Sequence, residues 1–455
     1  MKMKHIISKI SVVFRNLLFA AFVLFAFSCS NESDIVTTTT QSPSVPASSI
    51  DAKYALDWMD IEYRIIADQH NDSPPPPSRF YSYTCVTIYE CVAPGIPFSR
   101  SLSGQLNDMP QMPQINNTLE YDWPTVIAAA VKPVVYAAYD TLYPGSVVLV
   151  EEHYNEVITE RQAVVSQDVI DRSVQHGLAI AEKIQQWIST DGYEETRTMT
   201  YNAPPRSLNP ANWEPINPGD RPNEPYWGTL RPFVVRNPEQ FYIPMPTFST
   251  DTSSAIYRDA KELIEISQNL TLEQKRIANF WNDKIRTGTP SGHWVSIMSQ
   301  VARQTGLKLD KVAQMYAYMG PMMADGFIVC WRAKYHYNLL RPQSYIRDYI
   351  DPNWNPYLIT PSFPAYPSGH SSLSGGCAEI MKELFGDMHI TDYTHQDIGY
   401  PPRSFDTFAA IAEEAAFSRQ YGGIHYRFDS VNGLTAGHTL GRWILNNIRL
   451  TILEP

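Results

Sequence analysis

Long apolar runs are missing from this chain once its N-terminus is passed: no later stretch reaches the roughly 18 uninterrupted apolar residues that a bilayer-spanning helix needs. The best candidate, Val126 to Tyr139, is cut by Lys132-Pro133. A multi-spanning membrane protein is thereby excluded. A basic surplus is missing too. Lys and Arg total 36 against 47 Asp and Glu, a formal net charge of −11, and nothing suggests a nucleic-acid partner. On such an acidic exterior, anion binding has to be the local property of one pocket. Cysteine is scarce, five in 455 residues. Cys85 and Cys91 lie on one expected helix and point to different sides, so they should not bridge each other. A bridge between Cys330 and Cys377 is permitted in an oxidising compartment, but buried free thiols are the expectation. What is present is apolar mass. With 44% hydrophobic residues the chain can bury a large core, and its length allows about three domains of ordinary size.

The first residues read as a targeting segment. Lys2, Lys4, Lys9 and Arg15 form a positive region, Leu17 to Phe27 an apolar one, and Ala26-Phe27-Ser28-Cys29 a small-residue cleavage site ending in cysteine. This resembles a bacterial lipoprotein signal over residues 1–29, with Cys29 as the lipidated residue and Ser30 behind it disfavouring inner-membrane retention. Residues 30–49, rich in Ser, Thr and Pro, read as a flexible tether. The expectation is a protein secreted across the inner membrane and held by lipid alone, in the periplasm or at the outer-membrane surface.

Helical periodicity dominates the remainder. Trp58, Ile61 and Ile65 mark a first amphipathic helix, with others expected at about 78–92, 122–142, 147–165 and 168–189. Residues 192–250 break the pattern with prolines and the aromatics Trp213, Tyr226, Trp227 and Phe233, which favours packing over the body at a pocket mouth. Helices resume at about 252–268, 272–284, 291–305, 308–337, 370–385, 404–421 and 432–449. The expected fold is all-α: an N-terminal helical region, 50–270, packed on a C-terminal bundle, 271–455.

Three blocks in that bundle carry chemistry: Lys334 with Arg341-Pro342; Pro367-Ser368-Gly369-His370; and Ser418-Arg419 followed by His425 and Asp429. Three cations, a serine-glycine turn and two histidines suit a pocket for a tetrahedral oxyanion. Lys334 and Arg341 are seven residues apart, two turns on a continuous helix that Pro342 should stop. Ser368-Gly369-His370 should feed a helix whose free N–H groups face the anion. Gly422-Gly423 should break the chain between Arg419 and His425, and Asp429, one turn beyond, can orient a ring nitrogen of His425. Pro290-Ser291-Gly292-His293 repeats the tetrapeptide. Its flanks differ, and His293 is expected as a helix-start residue or one lying behind the site. Asp283 is open between two readings, a partner for one arginine and a solvated helix end.

Together these blocks resemble the signature of the superfamily that joins type 2 phosphatidic acid phosphatases, bacterial acid phosphatases and vanadium-dependent haloperoxidases. The resemblance implies the helical bundle of that superfamily and places Lys334, Arg341, Arg419, Ser368 and Gly369 on the oxyanion. It leaves two activities. In a haloperoxidase, His425 ligates vanadate axially, His370 handles the proton of hydrogen peroxide, and halide becomes hypohalous acid. In an acid phosphatase without cofactor, His425 is the nucleophile and His370 protonates the leaving oxygen. Trp331 and Phe363 occupy positions where fungal-type chloroperoxidases carry Trp and Phe beside the halide, which favours the first. The substrates implied are small molecules.

Overall fold

A helix that is apolar on every side must be buried on every side, and Leu309–Tyr337 is such a helix: every residue from Met315 to Trp331 is buried. The computed structural model describes residues 43–69, 73–139, 142–217 and 219–452. The expected signal peptide with Cys29, and most of the tether, lie outside the described residues.

The helices run in order α1 (Lys53–Asp68), α2 (Pro75–Val92), α3 (Trp123–Ala138), α4 (Pro144–Gln162), α5 (Gln167–Ile188), α6 (Tyr193–Thr198), α7 (Ala255–Gln268), α8 (Leu272–Phe280), α9 (Thr289–Thr305), α10 (Leu309–Tyr337), α11 (Pro342–Tyr349), α12 (Gly369–Phe385), α13 (Phe408–Tyr421) and α14 (Arg427–Asn447). Two three-residue strands, β1 (Ile390–Asp392) and β2 (Arg403–Phe405), pair antiparallel between α12 and α13. The all-α expectation holds. No helix among the described residues is long and apolar enough to cross a membrane.

α10 packs on α2, whose residues are all buried, and on α12. Buried residues on both sides of position 270, from Trp58 and Val86 to Leu373 and Ile444, share one hydrophobic cluster. Cys85, Cys91, Cys330 and Cys377 are buried and free within it. The tightest pairing is α12 with α14. It depends on glycine, because a Cβ at Gly437 would stand 2.2 Å from the carbonyl oxygen of Ser372. That close approach fixes the first turn of α12 against the middle of α14, and the candidate site lies beside the N-terminal ends of both.

The long loop after α6 is pinned rather than loose. The Asp325 carboxylate, inside α10, accepts the amides of Phe233, Val234 and Val235 at 2.5, 2.9 and 2.9 Å. Burial pushes this carboxyl up to about 6, and the three amides hold it down.

Several boundaries differ from expectation. Pro75–Pro77 open α2, as proline can in a first turn, so that helix begins three residues early. Pro342 does not stop a helix. α10 ends at Asn338 in the left-handed conformation (φ 46°), and Pro342 begins α11 with Arg341 as its N-cap. Lys334 and Arg341 therefore do not share a helix face. β2 replaces the expected start of the 404–421 helix, and α14 begins at Arg427 rather than 432.

Candidate active site

Each motif residue is delivered by a helix end. Ser368 caps α12 with its hydroxyl, accepting the Ser371 amide at 3.4 Å. That presents Gly369 and His370 at the helix's positive terminus. Arg419 lies in the last turn of α13; Gly423, at φ +75°, turns the chain back, and His425 enters just before α14. Asp429, in the first turn of α14, accepts both His425 Nδ1 at 2.8 Å and the Tyr426 amide at 3.1 Å. This fixes the imidazole with Nδ1 protonated and the Nε2 lone pair free to accept.

Burial first, then the charges of Arg341, Lys334 and Arg419, hold the His425 pKa well below the ordinary histidine value. His425 is thus neutral, as a ligand or nucleophile must be. Asp429 is pushed up to about 7 by burial, against the pull of Lys334 and Arg341.

Arg341 donates Nε to Phe363 O at 2.7 Å and Nη1 to Ile424 O at 2.9 Å, with Nη1 also 3.2 Å from His425 Nε2. Its Nη2 is buried without a partner among the described residues, and so is Nε of Arg419, whose Nη1 donates to Trp281 O at 2.5 Å. Two orphaned guanidinium donors around a neutral histidine are the unmet half of an anion site. Lys334 differs from expectation. Its ammonium spends three hydrogens on the carbonyls of Pro364, Ala365 and Pro367, at 3.0, 2.9 and 2.5 Å. It ties down the strand of chain leading into Ser368, and burial pushes its pKa down to about 7.

A cavity of about 340 Å³ opens on this group, lined by Gly369, His370, Arg419 and His425 and by Trp331 and Phe363, whose ring centroids are 5.0 Å apart. Asp220, Arg221 and Asn223 of the long loop reach its wall, so that loop does form part of the mouth. Ser368, Lys334 and Arg341 stand behind the wall, fully buried.

Asp283 is not a solvated helix end: its charge offsets that of Arg419, while its hydrogen bonds go to histidines. It is buried, and its Oδ1 accepts His293 Nδ1 at 2.8 Å and His395 Nε2 at 3.0 Å. Its Oδ2 lies 3.3 Å from His370 Nε2. His293, the fifth residue of α9, belongs to this buried group and not to the oxyanion pocket. The repeated tetrapeptide was a signal for His293. Asp392 and His395, 99 and 112 positions from the groups they bond, gave none, since only the β1 hairpin brings them in.

The comparisons agree with this geometry. The family model described as VCPO second helical-bundle domain matches residues 314–452. The vanadium-dependent bromoperoxidase of Ascophyllum nodosum is 34% identical over 108 residues, 21% of this chain and 19% of that protein. The vanadium chloroperoxidase of Curvularia inaequalis is 24% identical over 204 residues, 31% of this chain and 34% of that protein. The chain thus spans about a fifth to a third of the curated relatives it matches. A crystal structure of a bacterial vanadium-dependent iodoperoxidase superposes with a TM-score of 0.80 at 32% identity, covering 88% of this chain and 97% of the other. A bacterial vanadium-dependent chloroperoxidase in apo form shares the fold, with a TM-score of 0.64 at 17% identity over 82% and 94%.

Proposed function

Because this chain belongs to the vanadium haloperoxidase superfamily, we propose that it is a vanadate-dependent haloperoxidase, oxidising halide with hydrogen peroxide to hypohalous acid. The observation that carries the reading is the pairing of a neutral, Asp429-bound His425 with two unpartnered buried guanidinium nitrogens, Arg341 Nη2 and Arg419 Nε. Those residues fit a tetrahedral oxyanion. When bound, vanadate supplies Lewis-acid activation of peroxide without changing its own oxidation state.

The chain's own residues do the rest. His425 offers Nε2 as the ligand, and Asp429 keeps its proton on the far nitrogen. Arg341, Arg419, Ser368 and the Gly369 amide neutralise the anion, while Lys334 acts through its field and by holding the Pro364–Pro367 carbonyls in place. His370 is pushed down to about 4 by burial and by Arg419. It is therefore neutral near pH 7 and able to take a proton from peroxide. Trp331 and Phe363 give the cavity an apolar wall suited to a weakly hydrated halide. The names of the relatives, an iodoperoxidase, a bromoperoxidase and a chloroperoxidase, support halide oxidation over phosphoester hydrolysis. Cys29 is proposed as a lipid anchor that holds the enzyme at a membrane.

The test is direct. Protein incubated with vanadate and desalted should retain vanadium, and should halogenate an acceptor when given peroxide with iodide, bromide or chloride. Hydrolysis of a chromogenic phosphate ester by vanadate-free protein, with no halide oxidation in the loaded form, would transfer the same site to a phosphatase.

A further inference from the structure

Beside His370 lies a buried chain of carboxylates and imidazoles, Asp283 at the cavity wall and His293, Asp392 and His395 behind it. His293 is wholly buried between two carboxylates: Nδ1 lies 2.8 Å from Asp283 Oδ1 and Nε2 lies 2.8 Å from Asp392 Oδ2. Carboxylates only accept, so both ring nitrogens donate and the ring is an imidazolium. Trp281 stacks on its face at 4.2 Å. Asp392 is itself held by the Thr394 amide and hydroxyl at 2.9 and 2.6 Å, and Asp283 takes a second donor, His395 Nε2, at 3.0 Å. Asp283 Oδ2 is left facing His370 Nε2 at 3.3 Å, too poorly aligned for a full hydrogen bond. Among the described residues no other group bonds the His370 ring.

The geometry points to His293 as a positioning residue for His370: as a clamped cation it locks Asp283, and Asp283 in turn holds the His370 proton on Nε2 and leaves Nδ1 as the base that faces the cavity. This rests on the haloperoxidase reading for what His370 does, but not for the state of the chain itself. The proton balance is simple. Substrate gives its proton to His370 Nδ1, the ring becomes an imidazolium paired with Asp283, and no proton leaves Asp283, whose other oxygen is already occupied. The arrangement repeats, on the proton-transfer side, what Asp429 does for His425.

The electrostatics agree in direction. His293 is raised to about 10, burial opposing and Asp283 and Asp392 prevailing, while Asp283 is held well below the usual carboxylate range. The charged or titratable groups around His370 are Asp283 and Lys284 ahead of α9, His293 on α9, Arg419 on α13, His425, and Asp220 and Arg221 of the long loop. Replacing His293 by a neutral amide leaves the Asp283 charge less compensated, which favours protonated His370. In the His293→Gln variant the acid limb of the halide-oxidation profile should therefore move to higher pH, by about one pH unit, a tenfold loss of rate on that limb. Vanadate affinity should be retained.

The deciding measurement needs no turnover. In protein with 15N-labelled imidazoles, eleven in all, and with resonances assigned through His293→Gln and His370→Gln, His293 should be doubly protonated at neutral pH and His370 neutral with its proton on Nε2. In the His293→Gln protein the His370 titration should rise. A neutral His293 in the parent protein overturns the proposal even if no variant folds. So does an unchanged His370 titration, or a stoichiometric divalent metal ion, removable by chelator, on Asp283, His293 and His395. If the resonances behave as expected while no halide is oxidised, the positioning chain stands and the haloperoxidase reading falls.

Discussion

His425 and the guanidinium groups around it act as one unit, and their substitution should separate ligand from cage. His425→Ala should lose vanadate retention, since Nε2 held opposite Asp429 and beside Arg341 is the nitrogen the site offers as ligand. Arg341→Ala and Arg419→Ala should each weaken vanadate by about 2–5 kcal/mol, the range for breaking a buried charge-assisted contact, read by equilibrium dialysis with elemental analysis. Lys334 adds a pH dependence. Burial pushes its pKa down to about 7, so the anion-free protein loses this charge as pH rises through that value. An anion favours the charged form, so binding takes up a proton and affinity should fall above about pH 7, by up to tenfold per pH unit. In Lys334→Gln affinity should be lower throughout, and this part of the slope should vanish. His293 makes a stability prediction of its own. A folded pKa raised to about 10 contributes stability fully present below the unfolded histidine value, near 6.5, and lost as pH rises through about 10. The melting-temperature difference between parent and His293→Gln should therefore narrow from pH 6.5 to 10. At this scale the sequence was legible wherever chemistry came in short blocks: Ser368 to His370, Arg419, His425 and Asp429 meet as their spacing suggested. Asp283, Asp392 and His395 were not legible as a cluster, because no local pattern records which distant histidine a buried carboxylate meets.

Elements decide whether those residues converge. Helix periodicity located the helices that frame the site, but it could not distinguish a proline that ends one helix from a proline that begins the next. Both are punctuation, and the answer at Pro342 lay in Asn338, whose left-handed backbone ends α10 first. The consequence is that Arg341 reaches His425 from the head of α11 while Lys334 stays at the foot of α10. Contact between α12 and α14 is more exacting. At Gly437 a methyl group would stand 2.2 Å from Ser372 O and 2.9 Å from the Gly376 amide nitrogen, and neither backbone can swing aside as a flexible side chain could. Gly437→Ala should therefore cost at least about 1–3 kcal/mol. Chemical denaturation should read that loss, and vanadate affinity should drop with it, since the same contact sets Ser368 against Asp429, whose carbonyl accepts the Ser368 amide at 3.1 Å. Full stability in Gly437→Ala would mean that the two helices slide apart without disturbing the site, which the buried seam between them argues against.

At the scale of the whole molecule, the acidic exterior and the cationic pocket are separate facts with separate causes. The net charge of −11 is a property of the whole chain, whereas the cations of the site are buried, Arg419 in the cavity wall and Lys334 and Arg341 behind it. Anion capture should thus depend little on ionic strength compared with binding to a surface patch. The proposed membrane attachment is independent of all this and rests on residues 1–29 alone: the positive start, the apolar run from Leu17 to Phe27, and Cys29 after Ala26-Phe27-Ser28. A single lipid-modified cysteine on a Ser/Thr/Pro-rich tether would hold the enzyme at a membrane. In cells fed radiolabelled palmitate, the parent protein should take up label and sediment with membranes. Cys29→Ser should take up none and move to the supernatant after cell disruption, with vanadium content per mole unchanged. Unchanged labelling in Cys29→Ser would place the lipid elsewhere or remove it from the argument, and an unlabelled parent that still sediments would require an attachment other than lipid.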